Sequence, residues 1–581
     1  MKYTNLLIVW LLVSSSLYAQ NQNWQQQYVN AKAFYKEGKF ALAMESFKPL
    51  IEEAPGNYFS TYSSFYYALA AYKSNYLPLS KNMLLQIKNK YPTWSKMDEV
   101  NFWLAIIYFD EEAYNQALNS LNEIKAKKEE KDVENLKYNY LSKIESIDIL
   151  TGIYENHPDD KVVGELLAKK ITEQALVNQD QKMLDDIIEK FKFNPAKFNV
   201  IELKKTVYKD KYKVAVILPF MAADLQPNER KKVNQFVLDL YQGIELAADT
   251  LKAEGINIEL FAYDTKRSEA VTRKLMEDPE LKGMDLIIGP IYSHCVKVVN
   301  EFSYKNRINV INPISSNAEV IGQNPFSFLF SPSNETIGRK SAEYVLNNIN
   351  KKPGIIFYED TPTDSAVAFS YKKRMEKDSF NIVVTRKIAK DSSRIILDML
   401  LIPDTKLRDA SSEEAKEEYG IKLDSIGHIF VASNNDLISS KVLSAVETRG
   451  DSIIVIGSAD WLDLPVIKYE MYSKLGTILY APLYNIKSNA RYTSFRENYI
   501  RKHRNVPNKY VEIGYELMKL MGRSLDSYGK YFQLGWETKG YMEGYLTPGF
   551  DFANSNDNLM VPMLSFDNED IHIIYERKND D

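Results

Sequence analysis

Five histidines and a single cysteine are the side chains of this 581-residue chain best suited to acid–base, nucleophilic or metal chemistry near neutral pH. His157, His294, His428, His503 and His572 are scattered. No His-x-x-x-His or His-Glu-x-x-His spacing offers a metal two ligands on one helix face, and no Gly-x-Ser-x-Gly elbow presents a nucleophilic serine. His294 and Cys295 are adjacent, yet neighbours on a helix point about 100° apart, so a packed cysteine is the simpler account than a base and its nucleophile. No glycine-rich phosphate loop occurs. The expectation is a protein with no catalytic residues, no metal and no cofactor, a binder rather than an enzyme.

The elements that would position a binding site change character near Tyr212. Before it, residues recur every 37 positions. Ala31 maps to Ala68 and Ala105, Ala43 by way of Ser80 to Ala117, Phe47 to Leu84 and Leu121, and Pro55 to Pro92. Small residues let two antiparallel helices approach, Gly38 permits the turn between them, and proline stops the second helix. A weaker fourth unit holds Leu150, Ile153 and Pro158, and amphipathic helices from Val162 to Phe191 close the array. These spacings resemble the tetratricopeptide repeat family, whose unit is three residues shorter, so longer hairpin loops are expected. Such a stack has no chemistry of its own; it can hold a partner protein or act as a spacer, and the aromatics within it suit a helical core.

After the charged segment Lys204–Lys213 the pattern becomes that of buried strands alternating with helices. One set is Val214–Leu218, Ile256–Phe261, Leu286–Ile288 and Ile308–Ile311, with helices at Gln235–Leu251 and Ser293–Tyr304. A second set follows Ser331: Ile355–Tyr358, Asn381–Val384, His428–Val431, Ile453–Ile456 and Thr477–Tyr480. Near-continuous apolar strands alternating with helices predict two successive doubly wound parallel sheets, hence two lobes with a cleft at the carboxyl ends of their strands.

The wording of the first-lobe turns carries a family. Val214-Ala215-Val216-Ile217-Leu218-Pro219-Phe220, Tyr241-Gln242-Gly243-Ile244-Glu245-Leu246-Ala247, Asp264, Ile287-Ile288-Gly289-Pro290 and Asn312-Pro313-Ile314-Ser315-Ser316 resemble type I periplasmic binding proteins, the leucine-binding group in particular. The resemblance spans about residues 212–577. It implies a ligand held between the strand-end turns, with Ser293, Ser315 and Ser316 as first-lobe candidates. Hydroxyls and free amides at a helix start suit a carboxylate; ordinary helix capping accounts for the same serines equally well. Second-lobe candidates are Tyr358, Asp360, Ser433, Asn434, Asp460, Trp461 and Tyr484, with Phe220 and Tyr292 opposite. So many aromatics fit either a ring-bearing ligand or a cleft filled by its own side chains. Glu359-Asp360-Thr361-Pro362-Thr363 lacks the tyrosine-glycine pair often seen in the family after its acidic residue, and Leu407–Asp424 reads as an inserted, exposed segment.

The ends and the composition set the setting. Lys2, the apolar run Leu6–Val13 and Leu17-Tyr18-Ala19 before Gln20 predict a signal peptide at 1–19, too short to span a bilayer. Cys295 is the only cysteine, so neither a lipoprotein cysteine at the cleavage point nor an intrachain disulfide is available. Cleavage leaves 72 basic residues against 78 acidic ones, a net charge of −6, which gives no electrostatic footprint for nucleic acid. With 45% hydrophobic residues, the chain can bury two or three cores.

The expected organisation is a signal peptide at 1–19, an all-α repeat array at 22–200, a linker at 201–211 and a two-lobed α/β domain at 212–577. Its first lobe is expected at about 212–331 with part of the C-terminal region, and its second at about 332–484. The domain order resembles the lipoprotein activators of peptidoglycan synthases. It implies a periplasmic or otherwise exported protein, soluble after cleavage, that binds an envelope partner through its repeats. A receptor for amino acids or related small molecules, serving an ABC transporter, is the alternative.

Overall fold

The computed structural model describes residues 24–126, 130–174, 176, 179–198, 205–225, 234–349, 353–389, 393–401, 426–450, 452–567 and 570–575. The signal-peptide reading, part of the expected linker and the Leu407–Asp424 insertion lie outside them. The chain divides into two compact units, one holding residues up to Glu173 with Met183–Asn194, the other Gln174–Lys182 with Pro195 onward.

The first unit is a stack of helical hairpins. Residues 24–36 pair with Phe40–Phe47, Ser60–Lys73 with Leu77–Lys90, Met97–Asp110 with Tyr114–Asn122, and Glu130–Leu141 is followed by Ile147–Asn156 and Lys161–Glu173. Of the positions read as repeating, Ala31, Ala68, Ala105, Ala43, Ser80, Ala117, Phe47 and Leu84 are all 0% exposed, whereas Pro55 and Pro92 are exposed.

The period extends to the backbone. Gly38, Asn75 and Glu112, each 37 residues apart, have φ of 75°, 64° and 57°. The residue after each donates its amide hydrogen back to the preceding helix: Lys39 to Phe34 O at 2.9 Å, Tyr76 to Ala71 O at 2.9 Å, and Ala113 to Tyr108 O at 2.8 Å. One left-handed residue therefore closes each helix within a three-residue turn. This corrects the expectation of longer hairpin loops. The additional residues lie between hairpins instead, as in the 3-10 turn Lys48–Leu50 and the stretch 51–59.

In the second unit, β1 (Tyr212–Leu218), β2 (Ile258–Asp264), β3 (Leu286–Ile288), β4 (Asn309–Asn312) and β5 (Ser327–Leu329) form a parallel sheet in the order β2-β1-β3-β4-β5. Alternation along β1 serves both faces. Val214, Val216 and Leu218 pack with the Gln235–Ala253 and Lys509–Tyr528 helices, while Ala215 and Ile217 pack with Leu281, Val298 and Phe302. Those two helices touch backbone to backbone. A Cβ at Gly243 would stand 2.1 Å from Val511 O, and one at Gly514 2.0 Å from Leu240 O. The C-terminal helices thus complete the first lobe.

The second lobe is built on β6 (Gly354–Tyr358), β7 (Ile382–Lys387), β8 (His428–Ala432), β9 (Ile454–Ser458) and β10 (Ile478–Tyr480), all parallel. A short ribbon follows, β11 (Tyr541–Glu543) with β12 (Gly549–Asp551). Then β13 (Met563–Asp567) and β14 (Asp570–Ile574) join the second sheet antiparallel, in the order β14-β13-β10-β9-β8-β6-β7. The C-terminal region is therefore shared by both sheets, and the second lobe gains strands beyond Tyr484. Among the described residues, no helix is long and apolar enough to cross a membrane.

Candidate functional site

The turns at the carboxyl ends of β1, β3 and β4 gather the first-lobe candidates. Asn312, the last residue of β4, donates its side-chain amide to Pro290 O at 2.7 Å and accepts from the Ile314 and Ser315 amides at 3.2 and 2.8 Å. The Ser315 N–H is thereby used, and its hydroxyl accepts from Asn317 N at 3.1 Å. Ser315 is a turn residue. Ser316 accepts on its carbonyl from Asn334 N at 2.9 Å, leaving its hydroxyl, like that of exposed Ser293, without a hydrogen-bond partner among the described residues. Ser293 opens the Ser293–Asn306 helix, whose N-cap residue Tyr292 supplies no side-chain acceptor, so this helix start keeps unsatisfied N–H groups.

Aromatics border these turns. Phe220 meets Tyr241 edge to face at 5.3 Å, and the Arg267 guanidinium lies 5.3 Å from the Tyr292 ring. His294 Nε2 stands 2.9 Å from Arg267 O. Cys295 is buried, and that burial pushes its thiol pKa up. A thiol so placed is a packing residue.

The second-lobe turns after β6, β8 and β9 form one polar cluster. Ser433 donates its hydroxyl to Glu359 at 3.1 Å, and the Asn434 amide donates to Asp460 at 2.7 Å. Asn435 donates to the other Glu359 oxygen at 3.4 Å. Asp360 is exposed and pairs with Lys387 on β7 at 3.0 Å, while Tyr358 meets Phe369 edge to face at 5.4 Å. Tyr484 is half-buried against the second-lobe core, and burial raises its pKa. Glu359, absent from the candidates read in the sequence, is the acceptor that joins two turns. Its signal was its place between Tyr358 and Asp360 at a strand end.

Two candidates need correction. Trp461 is 0% exposed, its ring folded back over β9 by the Ala459–Asp463 turn, so that a Cβ at Gly457 would stand 2.2 Å from it. Its indole donates to Ser433 O at 2.8 Å. It is core, unable to stack on a ligand. Ser433 is also 0% exposed, with its hydroxyl committed to Glu359 and to Asn435 N.

The two lobes are tied where the chain crosses between them. Ser333, just after the first sheet, donates its amide and hydroxyl to Asp557 at 2.9 and 2.7 Å, and its hydroxyl caps the Asn334–Asn348 helix. Asp557 lies on the later crossing, between β12 and β13, and pairs with Leu329 in an isolated bridge. Hinged two-lobed binding folds close through a few such crossing residues.

Residues 236–397 match the family model described as a periplasmic binding protein, and the second unit carries a domain of that type. No curated protein sequence matches the chain. Among solved structures, an ABC transporter substrate-binding protein from Desulfitobacterium hafniense in complex with Leu is 16% identical, covering 63% of this chain and 100% of that one, with a TM-score of 0.41. The leucine binding protein LivK from Thermotoga maritima is 14% identical over 62% of this chain and 97% of that one, with a TM-score of 0.37. Full-length LpoA from Haemophilus influenzae is 10% identical over 96% of this chain and 95% of that one, with a TM-score of 0.41.

Proposed function

We propose that this is a non-enzymatic binding and adaptor protein of the bacterial cell envelope, exported by its signal peptide, in which tetratricopeptide-like repeats hold a protein partner and the periplasmic-binding domain is a second binding module. The observation that carries the reading is the 37-residue hairpin period, kept in buried residues and in backbone turns alike. A repeat geometry held this regularly presents successive helices in one register, which suits a polypeptide partner. A receptor for a small molecule has no need of it.

The second reading, a solute receptor for amino acids or related molecules, is favoured by the family match and by the unpartnered hydroxyls of Ser293 and Ser316 beside an uncapped helix start. Mass spectrometry of gently purified protein separates the two. A stoichiometric small molecule released on denaturation supports the receptor, and its absence together with a co-purifying envelope protein supports the adaptor.

A further inference from the structure

The repeats contain a groove whose chemistry narrows the partner, an inference that rests on the adaptor reading. An open cavity of about 540 Å³ runs between the Met97–Asp110 and Glu130–Leu141 helices. One wall presents Glu99, Phe102 and Trp103, and the other Asp132, Asn135, Leu136 and Asn139. Spacings of three, four and seven place each set on a single helix face. They are the faces left over once Val100, Leu104, Ile107 and Leu141 have turned into the core.

We propose that this groove docks an extended segment of a partner polypeptide carrying Lys or Arg at alternate residues. Sign is the first argument. Among the described residues the lining side chains include two carboxylates and no cation, with Lys96 and Lys73 on the margin of the groove. Asp132 is exposed and forms no ion pair among the described residues, whereas Glu99 pairs with Lys96. Lys73 Nζ stands 5.6 Å from the Trp103 ring, which Tyr72 meets edge to face at 5.3 Å, so the ring offers a partner an apolar surface for side-chain stems.

Spacing is the second argument. Asn135 and Asn139 are exposed, and their side-chain amides make no hydrogen bond among the described residues. Four residues of helix rise about 6 Å, close to the roughly 6.6 Å between alternate residues of an extended chain. Each amide can both donate to and accept from a peptide backbone. Two amides so spaced address alternate peptide units and leave intervening side chains to Trp103, Leu136 and the carboxylates.

The test uses the full-length mature chain and two pools of nonapeptides, identical except that alternate residues are Lys or Arg in one and Asp or Glu in the other. Capture of the basic pool is expected to exceed that of the acidic pool at least tenfold at physiological salt. Asp132→Asn with Asn135→Ala, both at exposed positions, is expected to remove most of that excess without altering the melting temperature. Equal capture of the pools, preference for the acidic pool, or an excess unchanged in the double variant overturns the proposal. In-cell crosslinks from the repeats to a partner that persist in the double variant would overturn this site while leaving the adaptor reading standing.

Discussion

Asp557 makes a quantitative prediction about the junction between the lobes. Its carboxylate is 0% exposed and receives two hydrogen bonds from Ser333. Burial pushes its pKa up from 3.8 to about 6, against the hydrogen bonds of Thr336 and Ser333 and the charge of Arg339, which pull it down. Because the folded value lies above the unfolded one, the native state holds the proton longer. Stability from this group is therefore fully present below pH 3.8 and is lost as pH rises to about 6. A shift of about two units is worth about 3 kcal/mol, of which about 2 kcal/mol falls between pH 4 and pH 7.

Asp557→Asn abolishes that titration while keeping an acceptor for the Ser333 amide. The stability of the variant relative to the natural protein should accordingly rise by about 2 kcal/mol between pH 4 and pH 7. Guanidinium unfolding across that range, followed by near-ultraviolet circular dichroism, reads the difference. Amide exchange at Ser333 reports on the junction itself. A flat difference would show that the carboxylate is solvated, and a difference of opposite slope would show that Arg339 outweighs burial; either refutes the reasoning.

Three other variants follow from the geometry. Glu112→Gly, at φ 57° in the third hairpin turn, should stabilise the repeats by about 0.5–1 kcal/mol; a lower melting temperature would mean that Glu112 makes compensating contacts. Trp461→Ala should destabilise the α/β unit by about 3–5 kcal/mol, measured by denaturant unfolding, and a nearly neutral result would return Trp461 to the ligand candidates. Ser293→Ala with Ser316→Ala should weaken a captured small ligand by about 1–3 kcal/mol in calorimetry, and unchanged affinity would exclude this turn as the binding surface.

The fold was legible wherever a local pattern repeated. Apolar runs such as Val214–Leu218 and Leu286–Ile288 are strands because both sheet faces are covered, and the spacing of Ala31, Ala68 and Ala105 is visible because each packs in an equivalent helix crossing. Interrupted or half-exposed strands were harder to see. β5 begins on Ser327 just after Asn324-Pro325, and β14 alternates exposed with half-buried positions, so neither reads as a continuous apolar run. Within the site, position after a strand identified the turns but not the side-chain directions. Trp461 sits where a cleft residue would, and the Ala459–Asp463 turn sends it inward. The Ser333–Asp557 pair joins residues 224 apart, a distance over which no sequence period operates.

Crosslinking in living cells, followed by mass spectrometry, tests the central claim most directly. The account predicts crosslinks from the repeat helices between Trp24 and Phe191 to an envelope assembly protein, retained when Ser293 and Ser316 are replaced by alanine. Crosslinks confined to the periplasmic-binding domain and directed to a permease would contradict it.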